Sequence, residues 1–130
     1  MKNIWTNGCF DIIHVGHIAL FEYAKSLGDK LYVGLDSDHR VSTMKGSNRP
    51  INNQNDRAKL LHSIKYIDSV LVFDSNYELE EHIKKLHIDT IVVGDDYKDK
   101  LVIGSQYVNN VLFFSKISNK SSSIILDKLL

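Results

Sequence analysis

Apolar and polar positions fall into two kinds of block along the chain. Short apolar runs occupy residues 4–6, 30–35, 69–73, 90–93 and 111–114. Such runs, without inside–outside alternation, are expected of strands buried on both faces. The segments between them carry helical spacing. Over 16–27, Ile18, Leu20, Phe21, Ala24 and Leu27 lie mostly on one face, and Gly28-Asp29 closes the helix. Residues 56–66 repeat the pattern with Ala58, Leu60, Leu61 and Ile64, followed by Ile67. Residues 77–86 form a third helix, and 121–130 a last one capped by one of its serines. Between the second strand and the second helix, 36–55 is rich in Ser, Asn, Asp and Lys. It predicts an unusually long polar connection, of the kind that often carries function.

Strands alternating with helices predict an α/β fold: a Rossmann-like, doubly wound parallel sheet of about five strands with helices on both faces. No internal repeat or linker divides the chain, so residues 1–130 read as a single domain. Ligands of such sheets bind beyond the carboxyl ends of the strands, where the strand order reverses. The loops after the first, second and fourth strands are therefore the places to look for chemistry.

The first of these loops reads Thr6-Asn7-Gly8-Cys9-Phe10-Asp11-Ile12-Ile13-His14-Val15-Gly16-His17. Gly8 can let a ligand approach the backbone. His14 and His17, three apart at the start of a helix, share one side of its first turn. That turn offers free N–H groups and the positive end of the helix dipole, a setting for a phosphate. Two histidines could also begin a zinc site, but no cysteine or histidine cluster supplies further ligands. Cys9 lacks an identifiable general base and reads as a small buried residue. The loop is neither G-x-G-x-x-G nor a Walker A sequence.

Composition narrows the classes. Sixteen basic residues balance sixteen acidic ones, which argues against a general nucleic-acid grip. One cysteine precludes an internal disulfide framework. No apolar run approaches the roughly 20 residues of a membrane span. Polar residues interrupt the first five positions before a signal-peptide core can form. A cytoplasmic protein with no membrane or nucleic-acid partner is expected.

Gly8-Cys9-Phe10-Asp11 followed by His14-Val15-Gly16-His17 resembles the paired signature of the cytidylyltransferase-like nucleotidyltransferases, and the likeness extends from Ile4 to the last helix. The resemblance implies in-line attack of an acceptor phosphate on the α-phosphorus of a nucleoside triphosphate, with pyrophosphate leaving and no covalent enzyme intermediate. His14, His17 and Lys45 become the candidate catalytic residues, with His17 stabilising the transition state. Asn7, Gly8, Phe10, Asp11 and Gly16 become candidates for nucleotide and phosphate binding. Mg2+ would accompany the triphosphate, with no metal ligand assigned to the protein. A homodimer is also implied.

The remaining loops are weighed against this resemblance. Lys45, in Met44-Lys45-Gly46-Ser47-Asn48-Arg49-Pro50, is either a solvated loop lysine or the phosphate-binding lysine of similar enzymes. Arg49 either anchors that loop or contacts a phosphate. Arg57 lies where the dipole disfavours a cation, which hints at an ionic partner or a ligand. Gly94-Asp95-Asp96 follows the fourth strand, a loop that in related enzymes lies at the base and ribose. Lys116 or Lys120 would replace an upstream arginine of the family, and Ser121-Ser122-Ser123 stand where the family often has Ser-Thr-Thr gripping a phosphate.

Two subfamilies compete. Thr6-Asn7-Gly8-Cys9-Phe10-Asp11, Lys45-Gly46-Ser47-Asn48-Arg49-Pro50-Ile51-Asn52 and Asp96-Tyr97 are similar to heptose 1-phosphate adenylyltransferase domains, whose acceptor is D-glycero-D-manno-heptose 1-phosphate. Gly94-Asp95-Asp96 is similar instead to glycerol-3-phosphate cytidylyltransferases. The adenylyltransferase reading is favoured, and it would place the sugar kinase on a separate chain. A third possibility, an inactive nucleotide-binding module, would be expected to have lost some of these motif residues.

Overall fold

The computed structural model describes residues 1–115. Five strands are joined by four helices and two short 3-10 turns. In chain order these are β1 (Asn3–Gly8), α1 (Val15–Ser26), β2 (Lys30–Asp36), α2 (Asp38–Lys45), α3 (Gln54–His62), β3 (Ser69–Phe73), α4 (Asn76–Lys85), β4 (Thr90–Gly94) and β5 (Asn110–Phe114). The 3-10 turns, Asp95–Tyr97 and Ser105–Tyr107, lie between β4 and β5. The sheet runs β3-β2-β1-β4-β5, and every pairing is parallel. The chain winds outward from β1 to β3 and then returns to the other side of β1. The order therefore reverses between β1 and β4, which opens a crevice at their carboxyl ends.

Neighbouring strand residues feed opposite cores, so the strands carry no polar alternation. Ile4, Leu31, Val33, Leu35 and Val92 pack with Phe21 and Ala24 of α1 and Leu61 of α3. Trp5, Phe73, Ile91 and Val93 pack with Leu79 and Ile83 of α4 on the other face. The expected doubly wound sheet is present.

Residues 36–55 depart from the expected connection, because they contain α2. Its sequence conceals it: of its eight residues only Val41 is buried. Local contacts hold the helix instead. The Ser37 hydroxyl accepts from Arg40 N at 3.1 Å, Asp38 sits favourably in the first turn, and the Arg40 guanidinium bonds Asp36 at 2.8 Å. The next helix begins at Gln54 rather than 56, because the Asn53 side chain caps it by accepting from Asp56 N at 2.8 Å. The expected last helix, with Lys116, Lys120, Ser121, Ser122 and Ser123, lies outside the described residues.

Candidate active site

The loop leaving β1 turns sharply at Phe10, whose φ of 44° is left-handed. The turn brings the Phe10 ring back beneath Gly8, where a Cβ would meet ring carbons at 3.1–3.4 Å. Gly8 therefore makes room for Phe10, and no ligand is needed to explain it. The ring packs edge-on against Phe21, and on His17 with centroids 5.3 Å apart.

His14 is the N-cap of α1. Its Nδ1 accepts from Gly16 N at 3.1 Å, and His17 Nδ1 accepts in turn from His14 N at 3.2 Å. This is a capping box built from two imidazoles. The rings stack with centroids 3.8 Å apart. A ring whose Nδ1 accepts a backbone N–H carries its proton on Nε2. Both histidines thus have one fixed tautomer, with Nε2–H as the donor. No acidic residue occupies the first turn of α1 to offset the dipole.

Asp11 has a different place from the one expected. It is fully buried. Its carboxylate accepts from Ile51 N at 2.8 Å, Asn52 N at 2.9 Å and Arg49 Nε at 2.9 Å. Burial pushes its pKa up, but the backbone N–H groups of Asn52 and Ile51 and the Arg49 guanidinium outweigh burial and hold it below the ordinary value. Asp11 is therefore a latch between the β1–α1 loop and residues 49–52, and its oxygens are unsuited to a phosphate. Arg49 acts as the anchor through Nε. Its Nη2, also buried, has no hydrogen-bond partner among the described residues.

Arg57 likewise departs from the expected phosphate contact. Its side chain is fully buried. It donates to Asn52 O at 2.9 Å, to Cys9 O and Asp36 O at 2.8 Å, and to Asp38 Oδ1 at 2.8 Å. The ionic partner that its place in the helix hinted at is Asp38. Arg57 ties together the ends of β1 and β2, the start of α2 and the loop before α3. Cys9 is half-buried rather than enclosed, with its carbonyl held by Arg57.

Lys45 stands exposed in the last turn of α2, near enough to Asp36 to act on its carboxyl. Burial pushes Asp36 above the ordinary carboxylate value, against the opposing pull of Arg40, Arg57 and Lys45. Asp95 and Asp96 form an exposed turn directly after β4, with Gly94 ending the strand. Tyr97 closes that turn. It is 44% exposed, and partial burial raises its pKa, with Asp96, Asp36 and Cys9 pushing the same way. Sequence reasoning missed Asp36, Arg40 and Tyr97 as crevice residues. The i,i+4 spacing of Asp36 and Arg40 was a readable signal, hidden because their segment read as a loop. Asn7 points from the end of β1, bonded to Trp5. Among the described residues no three His, Cys, Asp or Glu side chains are arranged to hold a metal ion, and no helix is long and apolar enough to cross a membrane.

Comparison with known proteins shows the family and the fold. The cytidylyltransferase-like family matches residues 5–126. The Bifunctional protein HldE of Campylobacter fetus is 44% identical over 97% of this chain and 27% of its own length. That of Campylobacter jejuni strain RM1221 is 45% identical over 98% of this chain and 28% of its own. The chain thus spans little more than a quarter of these curated relatives. Among solved structures, a lipopolysaccharide core biosynthesis protein from Thermoplasma volcanium superposes with a TM-score of 0.71 at 26% identity, covering 91% of this chain and 99% of that one. A protein of unknown function from Archaeoglobus fulgidus shares the fold, with a TM-score of 0.68 at 17% identity over 94% of each chain. With its paired imidazoles at the switch point and a match across almost its whole length, the chain belongs to the cytidylyltransferase-like family of nucleotidyltransferases.

Proposed function

We propose that the chain transfers a nucleoside monophosphate, from ATP in the first instance, to a sugar 1-phosphate of the heptose type, D-glycero-D-manno-heptose 1-phosphate, and releases pyrophosphate. The observation that carries this reading is the imidazole capping box, which fixes two Nε2–H donors beside the positive end of α1. An acceptor phosphate oxygen attacks the α-phosphorus. The bond to the bridging oxygen breaks, and its electron pair leaves with pyrophosphate. The acceptor is already ionised, so no base has to remove a proton. Positioning and charge stabilisation provide the catalysis. His14 and His17 donate to triphosphate oxygens, with His17 meeting the charge that develops in the transition state. Lys45 supplies a flexible cation from the end of α2.

Asp11 and Asp36 are engaged by Arg49 and Arg40, a donor set that suits magnesium carried on the triphosphate better than a protein cage. Magnesium bound there would neutralise phosphate charge. The names of the HldE relatives and of the lipopolysaccharide core protein favour the heptose acceptor. A cytoplasmic homodimer belongs to the same proposal. The exposed turn Asp95–Tyr97, opening with the acidic pair after Gly94, favours a second reading, CTP with glycerol 3-phosphate.

Pyrophosphate release with magnesium, crossing ATP and CTP against the two acceptor phosphates, tests the proposal. Release confined to ATP with the heptose phosphate is expected. Release confined to CTP with glycerol 3-phosphate would overturn it in favour of the second reading. No release in any combination would point to a binding module without turnover.

A further inference from the structure

We propose that Asn7 reads the oxygens of the phosphorylated acceptor through its side-chain N–H2, and that Trp5 is the positioning residue that makes it a donor. The inference rests on reading the crevice as a nucleotidyltransferase site. Trp5 is fully buried on the α4 face of the sheet, and its Nε1–H donates to Asn7 Oδ1 at 2.9 Å. An indole N–H can only donate. The amide oxygen of Asn7 must therefore face inward, and Nδ2 faces away from the indole. No hydrogen bond from Nδ2 joins it to another described residue. Without Trp5 the amide could present either end; with it, the half-buried Asn7 offers donors.

Gly34 makes this arrangement possible. It is the register partner of Asn7 on β2. A Cβ there would lie 2.3 Å from the Trp5 ring and 3.0 Å from Asn7 Cβ. The indole can lie beneath Asn7 because that space is empty of side chain.

The position selects the ligand. Asn7 follows Trp5 by two residues and so shares its face of the sheet, the α4 face. His14 and His17 open α1, which packs on the opposite face through Phe21 and Ala24. In-line displacement places the attacking oxygen and departing pyrophosphate on opposite sides of the α-phosphorus. With the triphosphate at α1, the acceptor approaches from the α4 side, where the Asn7 donors stand. The ligand class is a phosphorylated sugar or polyol, which presents only oxygens to those donors.

Asn7→Asp tests this with little change of shape. The carboxylate can still accept from Trp5 but presents negative charge where the donors were. With the best wild-type substrate pair, the acceptor KM is expected to rise about tenfold or more, and the triphosphate KM to stay within about twofold. Trp5→Phe keeps a ring in the core and removes the N–H; it is expected to raise the acceptor KM by about threefold with kcat largely kept. A merely structural role would shift both KM values together or lower kcat alone, and either pattern overturns the inference. A binding titration provides a check that does not require turnover. In 15N-labelled wild type, titration with heptose 1-phosphate or glycerol 3-phosphate should move the Asn7 side-chain amide signals, whereas MgATP alone should not. If no substrate pair is turned over, the proposed reaction fails, and this titration alone decides the role of Asn7: motionless amide signals overturn it.

Discussion

Asp11 and His14 stand three residues apart in one loop, yet they face different tasks. Asp11 is enclosed, and its carboxylate is met by Arg49 and two backbone N–H groups. His14 is half-buried; its Nδ1 accepts from the backbone of its own helix, and its ring stacks on that of His17. The same contrast separates Arg57 from Lys45. The Arg57 guanidinium reaches four protein oxygens from a fully buried position, whereas Lys45 extends into solvent at a helix end. One set of polar residues builds the crevice, and the other is the set proposed to meet what enters it. Chemical type does not separate them, since each set contains a cation. What separates them is whether the side chain is locked to distant parts of the chain, as in Asp11 and Arg57, or engaged only near its own helix end.

Arg57 carries the largest expected effect. Arg57→Met would leave the carbonyls of Cys9, Asp36 and Asn52 without this donor and release Asp38. A loss of about 3–5 kcal/mol is expected, read as a lower urea midpoint with an unchanged slope. A variant as stable as wild type would return Arg57 to the set that faces ligand. His17→Asn should do the reverse. Turnover is expected to fall about 10²–10³-fold, as when a transition-state hydrogen-bond donor is removed. Stability should drop by no more than about 1 kcal/mol, because only one partner of the cap is altered. Lys45→Ala should raise the triphosphate KM about tenfold without moving the thermal midpoint, as expected of an exposed charge that meets a phosphate.

The smallest effect concerns acid. Asp11 has its folded pKa held below the ordinary carboxylate value by the Ile51 and Asn52 N–H groups and Arg49. Its stabilisation is therefore present above that value and is lost as pH falls through the lower folded pKa. Asp36, with its pKa pushed up by burial, acts in the opposite sense: its contribution weakens as pH climbs from the ordinary carboxylate value through the raised folded pKa. Thermal midpoints should hold steady from pH 7 to about pH 5 and fall below about pH 4. Asp11→Asn should lower the plateau and flatten the acid limb, and an unchanged limb would remove Asp11 from the latch.

Much of the fold was legible along the chain. The five apolar runs fall on the five strands, because strands buried on both faces are apolar throughout. Helix α2 was not legible, because its order comes from Ser37, Arg40 and the single buried side chain Val41 rather than from an apolar face. At the site, the His14-Val15-Gly16-His17 spacing at a helix start announced two imidazoles on one turn. The fates of Asp11 and Arg57 were not announced. The partners of Asp11 lie 38–41 residues away and all but one of those of Arg57 lie 19–48 away along the chain, and a motif read locally cannot show that a charge is already answered.

The order of apolar runs, the histidine spacing and the Gly8-Cys9-Phe10-Asp11 motif were properties of the sequence by itself. They determined a parallel sheet, the loop that would carry the chemistry, and the family. Tertiary structure alone decided which polar side chains turn inward. That choice depends on where distant carbonyls and carboxylates arrive when β1, β2 and the loop before α3 converge. The bond from Trp5 to Asn7 is the clearest case. Two residues that are near neighbours in sequence orient an amide only because β2 brings a glycine alongside them. A buried donor must find an acceptor, and only the assembled sheet determines which end of the amide is left for a ligand.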